Sequence, residues 1–185
     1  DRRRDGFAFA EGAAALVLEP LDAAVARGAR IYAEVLGSGH TNDADSLVSP
    51  SGSGAVECIE DALAAAGFTV WPMVEVEAAL ADAGLDAGDI VHVNAHGTGT
   101  TVNDVQEAEA LHQVFATPPP VTSIKRVLGH AAGASGAFEA VASALTVHHG
   151  VLPSLGTDVE PDAALDLDLV VGAPRRIEPG PVLSN

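Results

Sequence analysis

The chain has 185 residues, 48% of them hydrophobic, and a mean hydropathy of +0.24, which suits one globular domain with its own core. Its 26 acidic and nine basic side chains give a formal charge of −17, which argues against a nucleic-acid backbone or an anionic membrane surface as partner. No apolar run approaches the roughly 20 residues of a membrane helix, and one cysteine, Cys58, excludes an intramolecular disulfide and a cysteine-based zinc site. The basic clusters Arg2-Arg3-Arg4, Lys125-Arg126 and Arg175-Arg176 read as solvated faces, and Cys58 as a buried inert thiol. The chain starts at Asp1 without a methionine and stops at Leu183-Ser184-Asn185 straight after an apolar run, so both ends read as cut from something longer.

In chain order, the small and apolar residues before Leu18 predict a strand near 13–19. Leu21 to Arg27 has helical spacing and stops at Gly28. Arg30 to Gly37 alternates and reads as a second strand. Residues 39–54, rich in Ser, Gly, Asn and Asp, predict a loop, and Ala55 to Ala66 a helix. The stretch Glu60 to Phe68 is echoed by Glu77 to Leu85, offset by 17 residues, with Thr69-Val70-Trp71-Pro72-Met73 between them. An inserted segment spanning 69–81 is the simplest account.

Ile90–Asn94 predicts a buried strand and 103–115 the helix that follows it. Val121–Ile124 predicts a short strand delivering Lys125. The small-residue run 129–137 opens a helix to about His149, expected to pack closely against other backbone in the core. Residues 165–171 and 182–183 predict closing strands. The alternation gives an α/β layered fold, with a mixed sheet and a buried small-residue helix.

The stretch Val91-His92-Val93-Asn94-Ala95-His96-Gly97-Thr98-Gly99-Thr100 carries a histidine from a strand into a glycine-softened loop ahead of a helix, where backbone is open to a substrate. His130 also follows a predicted strand and lies beside glycine. Lys125 precedes it by five residues and Glu139 follows it by nine. Two imidazole N–H groups aimed at one oxygen stabilise a developing enolate, as an oxyanion hole does, and a lysine can hold the neighbouring carboxylate and histidine in place. Each residue alone also has an ordinary reading: a surface lysine, a capping glutamate, a core histidine satisfied by backbone. Metal binding by His92, His96, His112 and His130 finds no supporting spacing.

Asp5-Gly6-Phe7 with Glu11-Gly12-Ala13, Asn94 to Thr100, Asp104 with Glu107, Lys125 with His130, and Gly133, Gly136 and Glu139 resemble the β-ketoacyl-acyl-carrier-protein synthases. Pro153 and Leu165-Asp166-Leu167-Asp168 continue the resemblance, which covers nearly the whole chain in order. Asn94 before Ala95-His96, and the glycine and glutamate spacing after His130, are more similar to the dissociated fatty-acid enzymes than to modular polyketide synthases. The resemblance implies the C-terminal half of a thiolase-type fold that performs a decarboxylating Claisen condensation. His96 and His130 are implied as the two carbonyl-binding histidines, Lys125 and Glu139 as the paired charges behind them, and Thr98 and Thr100 as contacts to the pantetheine arm. It implies no cofactor beyond substrates carried as phosphopantetheine thioesters. The implied partners are an acyl carrier protein and the family's N-terminal half, in a cytoplasmic enzyme that is a homodimer when complete.

Three departures accompany the resemblance. The family's nucleophilic cysteine belongs to its N-terminal half, and Cys58 does not match it, so the chain alone is expected to be inactive. The 69–81 segment lengthens a connection, and Arg126 stands where the family has a small polar residue. The alternatives are a non-catalytic partner subunit similar to a chain-length factor, which generally lacks the active-site histidines, and a truncated fragment. Half of a doubled fold should also expose a large apolar face.

Overall fold

Three short parallel strands organise the core. The computed structural model describes residues 1–41, 52–69 and 85–185. Its helices and strands in chain order are α1 (Leu21–Ala26), α2 (Ser53–Ala65), β1 (Phe68–Thr69), β2 (Leu85–Asp86), β3 (His92–Asn94), α3 (Asn103–Val114), β4 (Val121–Thr122), α4 (Lys125–Leu128), α5 (Ser135–His149), β5 (Val151–Leu152), β6 (Arg175–Arg176) and β7 (Val182–Ser184). The central sheet has the order β4-β3-β7, and β3 runs parallel to both neighbours. β1 pairs β2 in parallel and β5 pairs β6 antiparallel, so the strands are mixed as expected.

The register sorts side chains by face. Val93 lies opposite Val121 and Leu183, whereas Asn94 lies opposite Thr122 and Ser184. Residues paired across strands share a face and neighbours along a strand alternate, so one face is apolar and the other polar. The apolar face buries Val93, Val121 and Leu183 against Ile59 and Leu63 of α2 and Leu111 and Val114 of α3. The polar face meets α5, where Asn94 Nδ2 donates to the Glu139 carbonyl at 3.1 Å and reaches Ser143 Oγ and Ser184 Oγ, each at 3.3 Å. A strand covered on both faces needs no outward polar side. β3 nonetheless carries His92 and Asn94, because Thr122 of β4 partners the first and α5 supplies polar neighbours to the second.

Several elements shorten or vanish relative to expectation. The expected strands at 13–19 and 30–37 do not pair among the described residues, and Val17 is 92% and Val35 72% exposed. Their apolar residues have no sheet beside them to enter among the described residues. At the end of the second of these and just past it, Gly37 and Gly39 run hard against α2 and its C-cap: a Cβ would come within 2.4 Å of Ala66 N at the first and 2.0 Å of Cys58 O at the second. The expected strand 165–171 reduces to a parallel bridge of Leu169 with Val121. Its first residue instead ends a 3₁₀ turn (Ala163–Leu165) that Asp162 caps by accepting from Ala164 N at 3.1 Å.

α1 ends at Arg27 with Gly28 at φ +66°, and α5 ends at Gly150 in the left-handed conformation, both as glycine C-termini demand. α5 is less deeply set than its composition suggests. Only Ser135, Glu139 and Thr146 are buried, and a Cβ at Gly133 or Gly136 would meet nothing within 4 Å. Its small residues therefore leave space rather than close packing. Cys58 is half-buried on α2. All of the helical echo at 77–85 before Leu85, and all but the start of the 69–81 segment, lie outside the described residues, as does most of the 39–54 loop. Among the described residues no helix is long and apolar enough to cross a membrane.

Candidate active site

β3 ends at Asn94, and three residues later the chain turns at Gly97 with φ +49°. A Cβ there would lie 2.6 Å from both Cβ and Oγ of Ser123, so glycine is required twice over. The loop is held from α3. Glu107, buried at the helix's second turn, accepts from His96 N at 2.7 Å and from Gly97 N at 2.9 Å, and Asn185 Nδ2 donates to it at 2.9 Å. Burial raises the Glu107 carboxyl above its ordinary range, and these donors pull the other way. Asp104, a turn earlier, accepts from Gly99 N at 3.1 Å. The amides of His96, Gly97 and Gly99 are thereby committed before any ligand arrives.

His96 faces α4 and α5. Lys125, the first residue of α4, forms a buried ion pair with Glu139 of α5 and places its Nζ 3.2 Å from His96 Nδ1. An ammonium only donates, so Nδ1 accepts and the imidazole proton sits on Nε2. Burial, then the Lys125 charge and His130, lower the His96 pKa to about 4, which keeps the ring neutral at pH 7. Burial also lifts the Glu139 carboxyl above its usual range, while the Lys125 ammonium in contact with it pulls down. The ion pair orients the histidine.

His130 stands beside this group. Its ring centroid is 5.5 Å from that of His96, edge to face at 89°. The N-terminal segment fixes its backbone: His130 N donates to Ala8 O at 2.8 Å and Ala10 N to His130 O at 3.0 Å. Gly129 permits this approach, since a Cβ there would meet Ala10 Cβ at 2.8 Å. Phe7 covers the ring at a centroid distance of 4.9 Å. On the other side of the imidazole, Nδ1 lies 3.1 Å from Ser135 Oγ and 3.1 Å from Ala132 N.

A cavity of about 600 Å³ opens next to this group, with Thr98, Lys125 and His130 in its wall and Leu155, Leu165, Leu167 and Leu169 on its apolar side. Arg126 also lines it, and its Nη2 donates to Asp158 Oδ2 at 2.6 Å. Thr98 and Thr100 bond each other, Oγ1 to Oγ1, at 3.0 Å. Thr100 Oγ1 also accepts from Asn103 N at 3.2 Å at the start of α3. Of the six expected site residues, His96, Lys125, His130 and Glu139 form one connected cluster, while Thr98 and Thr100 form a second on the neighbouring loop.

His92 and His112 are engaged elsewhere, His92 Nε2 with Thr122 Oγ1 at 2.8 Å and His112 Nε2 with the Leu165 carbonyl at 3.0 Å. Among the described residues no three His, Cys, Asp or Glu side chains are arranged to hold a metal. The sequence reading gave Glu107 and Ser135 no role. Glu107 stood out only as the partner of Asp104, one helical turn earlier, in the pattern shared with the family, and Ser135 was hidden within the small-residue run.

Comparison with known proteins places these features. Residues 73–156 match the family model for the β-ketoacyl synthase C-terminal domain. The 3-oxoacyl-acyl-carrier-protein synthase 2 of Mycobacterium tuberculosis is 39% identical over 176 residues, which cover 95% of this chain and 39% of that protein. The ishigamide ketosynthase/chain length factor structure superimposes with a TM-score of 0.83 at 36% identity, over 96% of this chain and 40% of that one. A type II polyketide acyl-carrier protein in complex with its ketosynthase, bound to the hexaketide, gives a TM-score of 0.78 at 30% identity, over 95% of this chain and 40% of that one. The chain thus spans about two fifths of the length of these relatives. With its fold, its strand-end histidine and its match along nearly the whole length, the chain belongs to the thiolase-like β-ketoacyl synthase family and corresponds to the C-terminal half of its members.

Proposed function

We propose that this chain supplies the two carbonyl-binding histidines of a decarboxylating Claisen condensation, in which an acyl thioester is extended by malonyl-acyl carrier protein. The observation that carries the reading is the cluster in which Glu139 holds Lys125, Lys125 holds His96 Nδ1, and the His96 and His130 rings meet beside a cavity. Loss of carbon dioxide breaks the bond between the malonyl carboxylate and its α-carbon, and the electron pair moves onto the thioester oxygen. Nε2–H donors of His96 and His130 stabilise that oxyanion; removing one such donor typically costs about 10²–10³ in rate. The enolate carbon then attacks an acyl thioester held on cysteine. The tetrahedral intermediate collapses with release of the thiolate.

That cysteine is proposed to come from the family's N-terminal half, since Cys58 sits half-buried on α2, outside the cavity wall. The substrates are carried on phosphopantetheine arms, and no cofactor takes part. Thr100 Oγ1 already accepts the Asn103 amide, so its proton can point to Thr98, which frees the Thr98 hydroxyl at the cavity wall to donate to an amide carbonyl of the arm. The partners are an acyl carrier protein and a complementing ketosynthase half, in a cytoplasmic enzyme that pairs as a dimer. Intact histidines backed by a buried ion pair favour this over a non-catalytic, chain-length-factor-like partner. The test is condensation of acyl and malonyl carrier thioesters by the chain alone and after co-expression with an N-terminal ketosynthase half. We expect no product from the chain alone, product from the pair, and about a 10²–10³-fold loss in the pair on His96→Ala. Condensation by the isolated chain, or an active His96→Ala pair, overturns the reading.

A further inference from the structure

We propose that Ser135 is a positioning residue that holds His130 in the tautomer carrying its proton on Nε2. This rests on the reading of His130 as a donor to the carbonyl oxygen. Two groups meet His130 Nδ1, the Ala132 amide and Ser135 Oγ, each at 3.1 Å. A backbone amide can only donate, so Nδ1 presents a lone pair. Ser135 Oγ also lies 3.1 Å from the Ala131 amide, which again can only donate. The hydroxyl oxygen is thus an acceptor on that side, and its own proton is directed to Nδ1. The Ala132 contact requires the imidazole proton to be on Nε2, the nitrogen left for substrate, and with Nδ1 a bare acceptor the Ser135 hydroxyl is its second donor.

The backbone around this arrangement is not relaxed. Ala132 sits at φ +47°, a left-handed conformation uncommon for a residue with a Cβ. Ser135 braces the same turn through the Ala131 amide and is itself buried, at 5% exposure. Phe7, packed against the ring at a tilt of 55°, offers no hydrogen-bonding group and cannot choose between nitrogens. Ser135 therefore does for His130 what Lys125 does for His96. Because Ser135 and Glu139 lie one turn apart on α5, a single helix sets the protonation geometry of both donors.

The test is long-range proton–nitrogen NMR of the ¹⁵N-histidine-labelled chain, co-expressed with an unlabelled N-terminal ketosynthase half, at pH 8. The wild type should show His130 with a bare Nδ1 and a protonated Nε2. In Ser135→Ala the share of the Nδ1–H tautomer should rise about fivefold, the equivalent of one neutral hydrogen bond. His96, held by Lys125, should not change. Ser135→Cys keeps the shape with a weak donor, and it should raise that share by a smaller factor; it decides the matter where the alanine variant does not fold. A wild-type His130 protonated on Nδ1 overturns the proposal, as does a folded Ser135 variant with an unchanged His130 pattern. The signal needs no substrate, so its failure is distinct from a failure of condensation.

Discussion

Lys125 sits at the centre of the candidate site because it serves two acceptors at once, the Glu139 carboxylate and His96 Nδ1. Replacing it with methionine leaves a buried carboxylate without its partner. Unfolding by urea should show a loss of about 3 kcal/mol, the low end for breaking a buried pair, since Glu139 can take up a proton. The same variant should raise the His96 pKa from about 4 only part of the way to 6.5, because burial is the larger cause and remains; an NMR titration reads this directly. His92 offers a separate measurement. Burial alone lowers its pKa from 6.5 to about 4, so between these values the unfolded chain binds a proton that the folded chain refuses. Stability from this residue is intact above pH 6.5 and falls as pH drops toward 4, by an amount on the order of 3 kcal/mol. Glu107 and Glu139, shifted upward, run the other way over their own window, so wild type alone does not isolate the effect. His92→Gln does: the difference in urea midpoint between pH 7 and pH 4.5 should shrink in the variant relative to wild type. At this scale the sequence exposed the residues with reactive side chains and concealed those that act by accepting or donating to backbone. His96, Lys125, His130 and Glu139 stand out by type and spacing. Glu107 looks like any helical glutamate until its carboxylate is seen to bind two loop amides.

Among the elements, the turn after β3 is the most demanding. Gly97→Ala would put a Cβ at φ +49° and 2.6 Å from the Ser123 side chain. Strain alone costs about 1–3 kcal/mol, and the overlap forces Ser123 aside, breaking its hydrogen bond to Gly97 O at 3.2 Å. A thermal melt should show the loss, and amide exchange at His96 and Gly97 should quicken most. Helix α1 was readable from its spacing and its Gly28 stop, α2, α3 and α5 from their runs of helix-forming and small residues, and β3 from its apolar run. Segments 13–19 and 30–37 were misread because an apolar run, like an alternating one, records which faces a segment could bury, whereas a strand also needs a neighbour to bond with. No such neighbour lies beside them among the described residues. α5 was misjudged for a related reason: small residues permit close approach, but Gly133 and Gly136 have nothing approaching them.

For the whole molecule, the unpaired segments matter more than the core. Leu16, Val17, Leu18, Val25, Tyr32 and Val35 are all exposed, each by 41% or more. Apolar surface of this extent is unusual for a soluble monomer. Expressed alone, the chain should bind a hydrophobic dye and self-associate, and co-expression with an N-terminal ketosynthase half should suppress both. A monomeric chain with little dye binding and sharp cooperative unfolding would contradict this. One contact inside the molecule has a wider effect. The Glu107 carboxylate binds the His96 and Gly97 amides and, at the same time, the side chain of Asn185, whose backbone amide donates to Asn94 O at 3.0 Å beside β7. Order in the loop and order in the closing strand are thus linked variables, and linkage is reciprocal. A ligand that immobilises His96 to Thr100 must slow amide exchange at Ser184 and Asn185 as well. By the same free energy, any change that loosens the closing strand is a reduction in that ligand's affinity.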